Sequence, residues 1–383
     1  MQDGAGGAGT RQHGRITSPS GSDAHMTKRA RDGQMKVGLL CVGWPGRHEV
    51  GGAARYAWRF AEMMRDDVDL HVITSEGGTP LPGATMHFLE NGGGRFKHYY
   101  RFPFEVRRAL RGLDLDILHA FGDDWALTGR RFSWVRTFHG SSLSEARAST
   151  GLRRWNHYVL GALEHSVRRR CDLAISVGPE GESEFKTDIL IPPVIPRDGD
   201  FTPPEPSTKP TVTFIGTATG RKRGLMAASL VNEASRRTGL AIELRVVGPA
   251  NDKKNWPAGV MHYSDPQDEE VTALIRESWL LIAPSAYEGF GIPAFEAASL
   301  GVPSVSSPNP GSEYIAQQIG NDELFAVRDD ATFIDALVDR LTRGAPSQSS
   351  SIRAAVDAAD ALASQASKSR ILELYSSLRT GRR

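Results

Sequence analysis

Pro284-Ser285-Ala286-Tyr287-Glu288-Gly289-Phe290-Gly291-Ile292-Pro293-Ala294-Phe295-Glu296-Ala297 is the stretch on which the fold turns. The apolar run Leu280-Leu281-Ile282-Ala283 before it reads as a buried strand, and the stretch itself opens a helix. Pro293 suits the first helical turn, where its missing N–H costs nothing, and Gly289 and Gly291 let the backbone turn tightly. Free amides near Phe290, Gly291 and Ile292 then point out of a helix N-terminus, a site suited to a diphosphate. In open parallel sheets the crevice at the strand C-termini is also where ligands bind. Glu288 falls on the loop and Glu296, with seven residues between them, on the helix. A carboxylate accepts hydrogen bonds from two vicinal hydroxyls at once, which is what a ribose or hexose offers.

Outward from this stretch, short apolar runs alternate with helical patterns in both directions. Upstream, Val212 to Ile215 and Ile242 to Val247 read as strands, and Gly224 to Arg236 and Glu269 to Glu277 as helices. A proline-dense segment from Ile191 to Pro206 interrupts the alternation and marks a linker. Before it lie a second set of strands, at Val37 to Val42, Leu70 to Thr74, Asp116 to His119, Trp134 to Phe138 and Leu173 to Ser176, with a helix over Ala53 to Arg65. Alternation of this kind predicts parallel sheets covered on both faces, an α/β chain of two doubly wound domains. Ile352 to Leu378 reads as one or two closing helices.

Composition narrows the function. The 383 residues exceed what one core usually serves. Lys and Arg (46) balance Asp and Glu (45), so bulk charge argues neither for a nucleic-acid binder nor for an acidic tail, and no nucleic-acid partner is expected. Cys41 and Cys171 form neither a disulfide framework nor a metal spacing, which suits a reducing compartment. Met1 to Gln34 lack the large apolar residues that order a chain, and are expected to be disordered. No run approaches the roughly 20 apolar residues needed to span a bilayer.

The quoted stretch, with the continuation Leu300-Gly301-Val302-Pro303, resembles the retaining glycosyltransferases of family four, which have the GT-B architecture of two facing Rossmann-like domains with a cleft between them. The resemblance runs over about residues 35 to 378. It implies a tail over 1–34, an acceptor domain over 35–192, a linker over 193–210, a donor-nucleotide domain over 211–350, and a C-terminal helix and basic tail over 351–383 that packs back on the first domain. It further implies transfer of a sugar, with retention, from a nucleotide-diphosphate donor to a glycan, glycolipid or small-molecule acceptor, without a cofactor or metal.

By that resemblance Glu288 and His139 are the catalytic candidates, Glu288 at the donor sugar and Glu296 at the nucleotide ribose. Gly289, Phe290, Gly291 and Ile292 stand beside the phosphates, and the Gly51-Gly52 loop approaches them from the first domain. Where the family has an arginine after a strand-ending glycine, this chain has Thr217; Arg223 matches the family's lysine, and Arg221 or Lys222 is expected to compensate. A nucleotide-sugar epimerase, or a binding protein of the same fold that has lost turnover, remains open at this point. Asp67-Val68-Asp69 and Asp114-Leu115-Asp116 look like metal motifs, but each precedes a strand and reads better as a turn. Arg95 to Phe102, with Arg107, Arg108, Arg111, Arg153, Arg154 and Trp155, mixes basic and aromatic side chains in a way that suits peripheral contact with an anionic membrane from the cytoplasmic side.

Overall fold

The computed structural model describes residues 33–45, 52–90, 94, 96–147, 149–195, 201–346 and 349–380. The expected tail, but for its last two residues, lies outside the described residues, as do Gly51, Arg95 and 196–200 of the expected linker. The first lobe runs β1 (Lys36–Leu40), α1 (Gly52–Met64), β2 (Asp69–Ser75), β3 (Thr85–Leu89), α2 (Phe102–Leu110), β4 (Ile117–Ala120), β5 (Ser133–Phe138), α3 (Ser142–Arg147), α4 (Gly151–Arg168), β6 (Leu173–Ser176), α5 (Pro179–Phe185) and β7 (Ile189–Leu190). The second runs β8 (Thr211–Ile215), α6 (Gly224–Thr238), β9 (Glu243–Gly248), β10 (Met261–Ser264), α7 (Asp268–Arg276), β11 (Leu280–Ala283), α8 (Ile292–Ser299), β12 (Ser304–Ser306), α9 (Pro310–Ile319), β13 (Phe325–Val327) and α10 (Phe333–Thr342). Two helices, α11 (Ser350–Ser364) and α12 (Lys368–Thr380), follow.

All strands pair in parallel, in the orders β3-β2-β1-β4-β5-β6-β7 and β10-β9-β8-β11-β12-β13. The α/β, doubly wound expectation therefore holds for both lobes. Each sheet reverses its winding beside its first strand: between β1 and β4 in one lobe, between β8 and β11 in the other. Ligands of open sheets bind at that switch point, because the loops leaving the two strands diverge there and leave a crevice. In the second lobe the two diverging loops are Gly216 to Arg223 and Pro284 to Gly291, so the topology alone brings the cationic run beside the Glu288 turn.

Five short strands, β3, β7, β10, β12 and β13, were not expected from the sequence. Most are edge or near-edge strands of two to five residues, too short for a periodic signal. The aromatic-basic segment gives a π-helical turn over Lys97–Arg101 that runs directly into α2. The Asp-x-Asp residues serve the chain: Asp116 accepts from the Lys36 amide at 2.8 Å and Asp114 pairs with Lys36 Nζ at 2.6 Å, fixing the start of β1.

The closing helices tie the lobes together. α11 packs on α8 and α9 of the second lobe, burying Val356 and Ala359. α12 lies on the first lobe, where fully buried Tyr375 bonds to His119 Nδ1 at 2.6 Å and Lys368 pairs with Asp67 at 2.8 Å. One apolar cluster consequently runs from Tyr56, Phe60 and Phe121 through Tyr375 to Phe290 and Phe295, across the lobe boundary.

Candidate active site

Helix α8 begins where its residues dictate. Gly291 sits at φ 98°, a left-handed conformation that a side chain resists, and Pro293 occupies the first turn. The helix is mostly apolar and its Ala294, Phe295, Ala297 and Ala298 are buried, so packing anchors it between the sheet and α11. Its N-terminus follows the loop that leaves β11 at the switch point. The Phe290 ring is buried edge-on against Phe295, with ring centroids 5.1 Å apart. Ile292 is part-buried beside it.

Glu288 is 8% exposed and gripped by two cations from the neighbouring loop. Lys222 Nζ stands 2.5 Å from Oε1 and Arg221 Nη1 2.8 Å from Oε2. Arg221 also donates to the Tyr287 carbonyl oxygen at 2.9 Å. Burial alone would raise the Glu288 carboxyl, but Lys222 and then Arg221 overcome it and hold it down at about 2. Arg223 does not join this group. It adopts φ 56° and forks onto Asp330, at 3.0 and 2.5 Å. Thr217 turns its hydroxyl to the Thr219 carbonyl oxygen at 2.9 Å, a local turn bond.

The first lobe meets this loop closely. A Cβ on Gly178 would fall 2.2 Å from the Gly289 carbonyl oxygen, so that approach requires glycine. Tyr287 donates to Glu180 of the first lobe, and the Ser141 amide donates to Tyr287 Oη at 3.3 Å. His139 stands edge-on to Tyr56 and Phe121, with centroids 4.6 and 5.3 Å away. Its Nε2 is buried and has no hydrogen-bond partner among the described residues. Burial, with Arg136 adding to it, pushes the ring down to about 3, so it is a neutral imidazole at any ordinary pH. Gly52 opens α1 with nothing within 4 Å of a would-be Cβ; its neighbour Gly51 lies outside the described residues.

Glu296 lies one turn into α8, 8% exposed, and pairs with Arg59 Nη1 of the first lobe. Arg59 in turn bonds Asp268 at 2.6 Å. The structure thus brings Arg221 and Lys222 onto Glu288, sets Gly289 against His139 across the lobe boundary, ties Glu296 to Arg59 of the first lobe and turns Arg223 away to Asp330. Sequence reading missed Arg59, Tyr287, Glu180 and Asp268. Only the spacing of Arg55 and Arg59 on one helical face hinted at them, and their partners lie some two hundred residues on.

Two facing Rossmann-like lobes, each built on a doubly wound parallel sheet, are the GT-B architecture. Residues 50–197 match the family described as Glycosyltransferase Family 4 and residues 209–343 that described as Glycosyl transferases group 1. The chain is a glycosyltransferase of this type.

A relative in Mycolicibacterium hassiacum, named MMP α-(1→4)-mannosyltransferase, is 28% identical over 173 residues, 41% of this chain. That match spans 41% of the relative's own length. Among solved structures, sucrose-phosphate synthase from Thermosynechococcus elongatus shares the fold at TM-score 0.65 and 16% identity, over 91% of this chain and 97% of that one. Anabaena HepE, solved in complex with UDP and glucose, does so at TM-score 0.63 and 15% identity, over 90% and 100%.

Proposed function

We propose that the chain moves a hexosyl group, with retention at the anomeric carbon, from a nucleoside-diphosphate sugar to an acceptor hydroxyl. The reading rests on one observation: a buried, ionised carboxylate, Glu288, flanked by Lys222 and Arg221 at the switch-point crevice beside the N-terminus of α8. In this reading the diphosphate lies along the helix terminus and takes charge stabilisation from Lys222 and Arg221 as the sugar–phosphate bond breaks. Those cations and amides carry the leaving-group charge without a cofactor or metal. Glu288 faces the donor sugar, and Glu296 the ribose hydroxyls. The unpartnered His139 Nε2 supplies a hydrogen bond to a sugar hydroxyl from the opposite lobe. The acceptor oxygen bonds to the anomeric carbon as its proton passes to the departing phosphate. The mannosyltransferase relative and the UDP-bound neighbour support this donor chemistry.

The acceptor side carries a second part of the proposal, peripheral contact with an anionic membrane. The first turns of α4 expose Leu152 and Trp155, the latter at 69%, and Phe96 is 75% exposed. Phe96 stacks near Tyr100, which donates to Asn156 on α4 at 2.8 Å, so these side chains form one face. Lys97, Arg101, Arg153 and Arg154 each adjoin one of these residues in the chain. Each basic residue near an anionic leaflet contributes roughly 1 kcal/mol, and aromatic rings suit the interface. No helix among the described residues is long and apolar enough to cross a membrane.

A thermal-shift panel of nucleoside diphosphates and their sugars tests the donor reading, since a ligand of the folded state raises Tm. Stabilisation by none of them would end it. Sedimentation with phosphatidylserine vesicles at low salt tests the membrane face, and equal recovery with neutral vesicles would remove that part alone.

A further inference from the structure

Helix α1 turns two arginines, Arg55 and Arg59, toward the second lobe one turn apart. Arg59 is 8% exposed and bonded to both Glu296 and Asp268. Arg55 Nη1 stands 3.3 Å from the other Asp268 oxygen, and its Nη2 donates to the Pro266 carbonyl at 2.8 Å. Two cations of one lobe thus balance two carboxylates of the other. Burial opposes the Arg59 charge, but Glu296 and Asp268 outweigh it and raise its pKa, so the guanidinium stays charged.

Glu296 is also the carboxylate that the proposed function assigns to a ribose, and its Oε1 accepts from Arg59. A ribose diol is neutral. If it takes Glu296, Arg59 is left with Asp268, which Arg55 already shares. A buried guanidinium does not stay under-compensated without cost. The phosphates joined to that same ribose are the nearest source of negative charge. At 1.5 Å of rise per residue, Glu296 stands on the order of 6 Å along α8 from Ile292, where the proposed diphosphate site begins. A guanidinium already at Glu296 needs only a side-chain rotation to span that distance, and it grips phosphate with two parallel hydrogen bonds.

We propose that Arg59 is a donor-positioning residue that changes partner. In the empty protein it fastens the lobes through Glu296; when a nucleoside diphosphate enters, Glu296 passes to the ribose and Arg59 to the phosphates. The inference rests on the donor reading above and adds a phosphate contact from the first lobe, opposite Lys222 and Arg221.

Calorimetry on the full chain separates the possibilities, using UDP, GDP and ADP, each beside its own nucleoside. Arg59→Met should weaken the diphosphate that binds best at least tenfold while leaving the matching nucleoside unchanged or bound more tightly. Arg59→Lys keeps the cation but not the fork, and should lower the diphosphate-to-nucleoside affinity ratio at least threefold. That ratio decides the matter should the Met variant fail to fold. A ratio equal to wild type in the Lys variant, or parallel changes for nucleoside and diphosphate in the Met variant, would show a mere brace and overturn the inference. Wild-type protein that binds none of the three diphosphates would sink the donor reading and this inference together, whereas an unchanged ratio sinks this one alone.

Discussion

A Cβ placed on Gly289 would stand 2.3 Å from the carbonyl oxygen of His139, so the two lobes meet there backbone against backbone. No side chain fits at that distance, and the obstacle is main chain that cannot swing aside. Gly289→Ala should therefore hold the cleft open by about an ångström while each lobe keeps its own core. Misplacement on that scale costs up to about a hundredfold in rate. The expected outcome is a fall of tenfold or more in kcat/KM with Tm changed by only a few degrees. Full activity in this variant would mean that the closed contact is not part of the working cycle.

The Glu288 carboxyl carries its own pH signature. Held at about 2 against an ordinary 4.5, it stays ionised in the folded chain after the unfolded chain has taken up its proton. Its contribution is complete above about 4.5 and drains away as pH falls toward 2, worth on the order of 3 kcal/mol across the whole window. Glu288→Gln removes that dependence. Urea unfolding at pH 6 and pH 3.5 should show a smaller stability loss in the variant than in wild type. At neutral pH the variant should still bind a nucleoside diphosphate yet turn over at least a hundredfold more slowly. Wild-type turnover in Glu288→Gln would remove this residue from the chemistry.

Local chemistry explains which parts were legible in the sequence. The turn at Gly291 and the helix start at Pro293 are decided by residues within a few positions of one another, and so are the buried strands β1, β8 and β11. The strands β12 and β13, three residues each, carry no period and exist because a formed sheet offers them an edge. The Arg59–Glu296 pair joins positions 237 residues apart and follows from how the two lobes close, which no local pattern encodes. Arg223 is the instructive case. Counting along the chain puts it with the donor cations, but its left-handed backbone turns the side chain to Asp330 and leaves Lys222 facing Glu288.

His119 and His139 make the protein acid-sensitive well above the carboxylate range. Burial holds both near 3, where an unfolded histidine would titrate at 6.5. As pH falls through 6.5 the unfolded chain binds protons that the folded chain refuses, so stability declines from there down to about 3. Each histidine contributes up to about 1.4 kcal/mol per pH unit over that span. His119 is fully buried between Tyr375 and Thr137, at 2.6 and 2.7 Å. His119→Asn keeps a polar partner there but loses the proton. Its urea-unfolding free energy should start lower at pH 7 and fall less steeply between pH 6.5 and 5 than that of wild type. Parallel slopes would show that His119 does not titrate with unfolding.

Lys222 and Arg223 are adjacent in sequence and should differ sharply in kinetics. Lys222 touches the proposed reacting site through Glu288, and removing one preorganised charge from such a site costs about a hundredfold or more in kcat. Lys222→Ala should show that loss in kcat, with a smaller change in donor KM. Arg223 spends its charge on Asp330, which is 58% exposed, and surface pairs of this kind contribute at most about 1 kcal/mol. It also pays for a left-handed φ of 56°, a strain that glycine would relieve. Arg223→Gly should accordingly stay within about threefold of wild-type turnover and within about 1 kcal/mol of its stability, the lost ion pair offset by the relaxed backbone. Steady-state kinetics on both variants with one donor settles the assignment: equal losses, or a larger one for Arg223→Gly, would restore Arg223 to the donor site and put Lys222 in the supporting role.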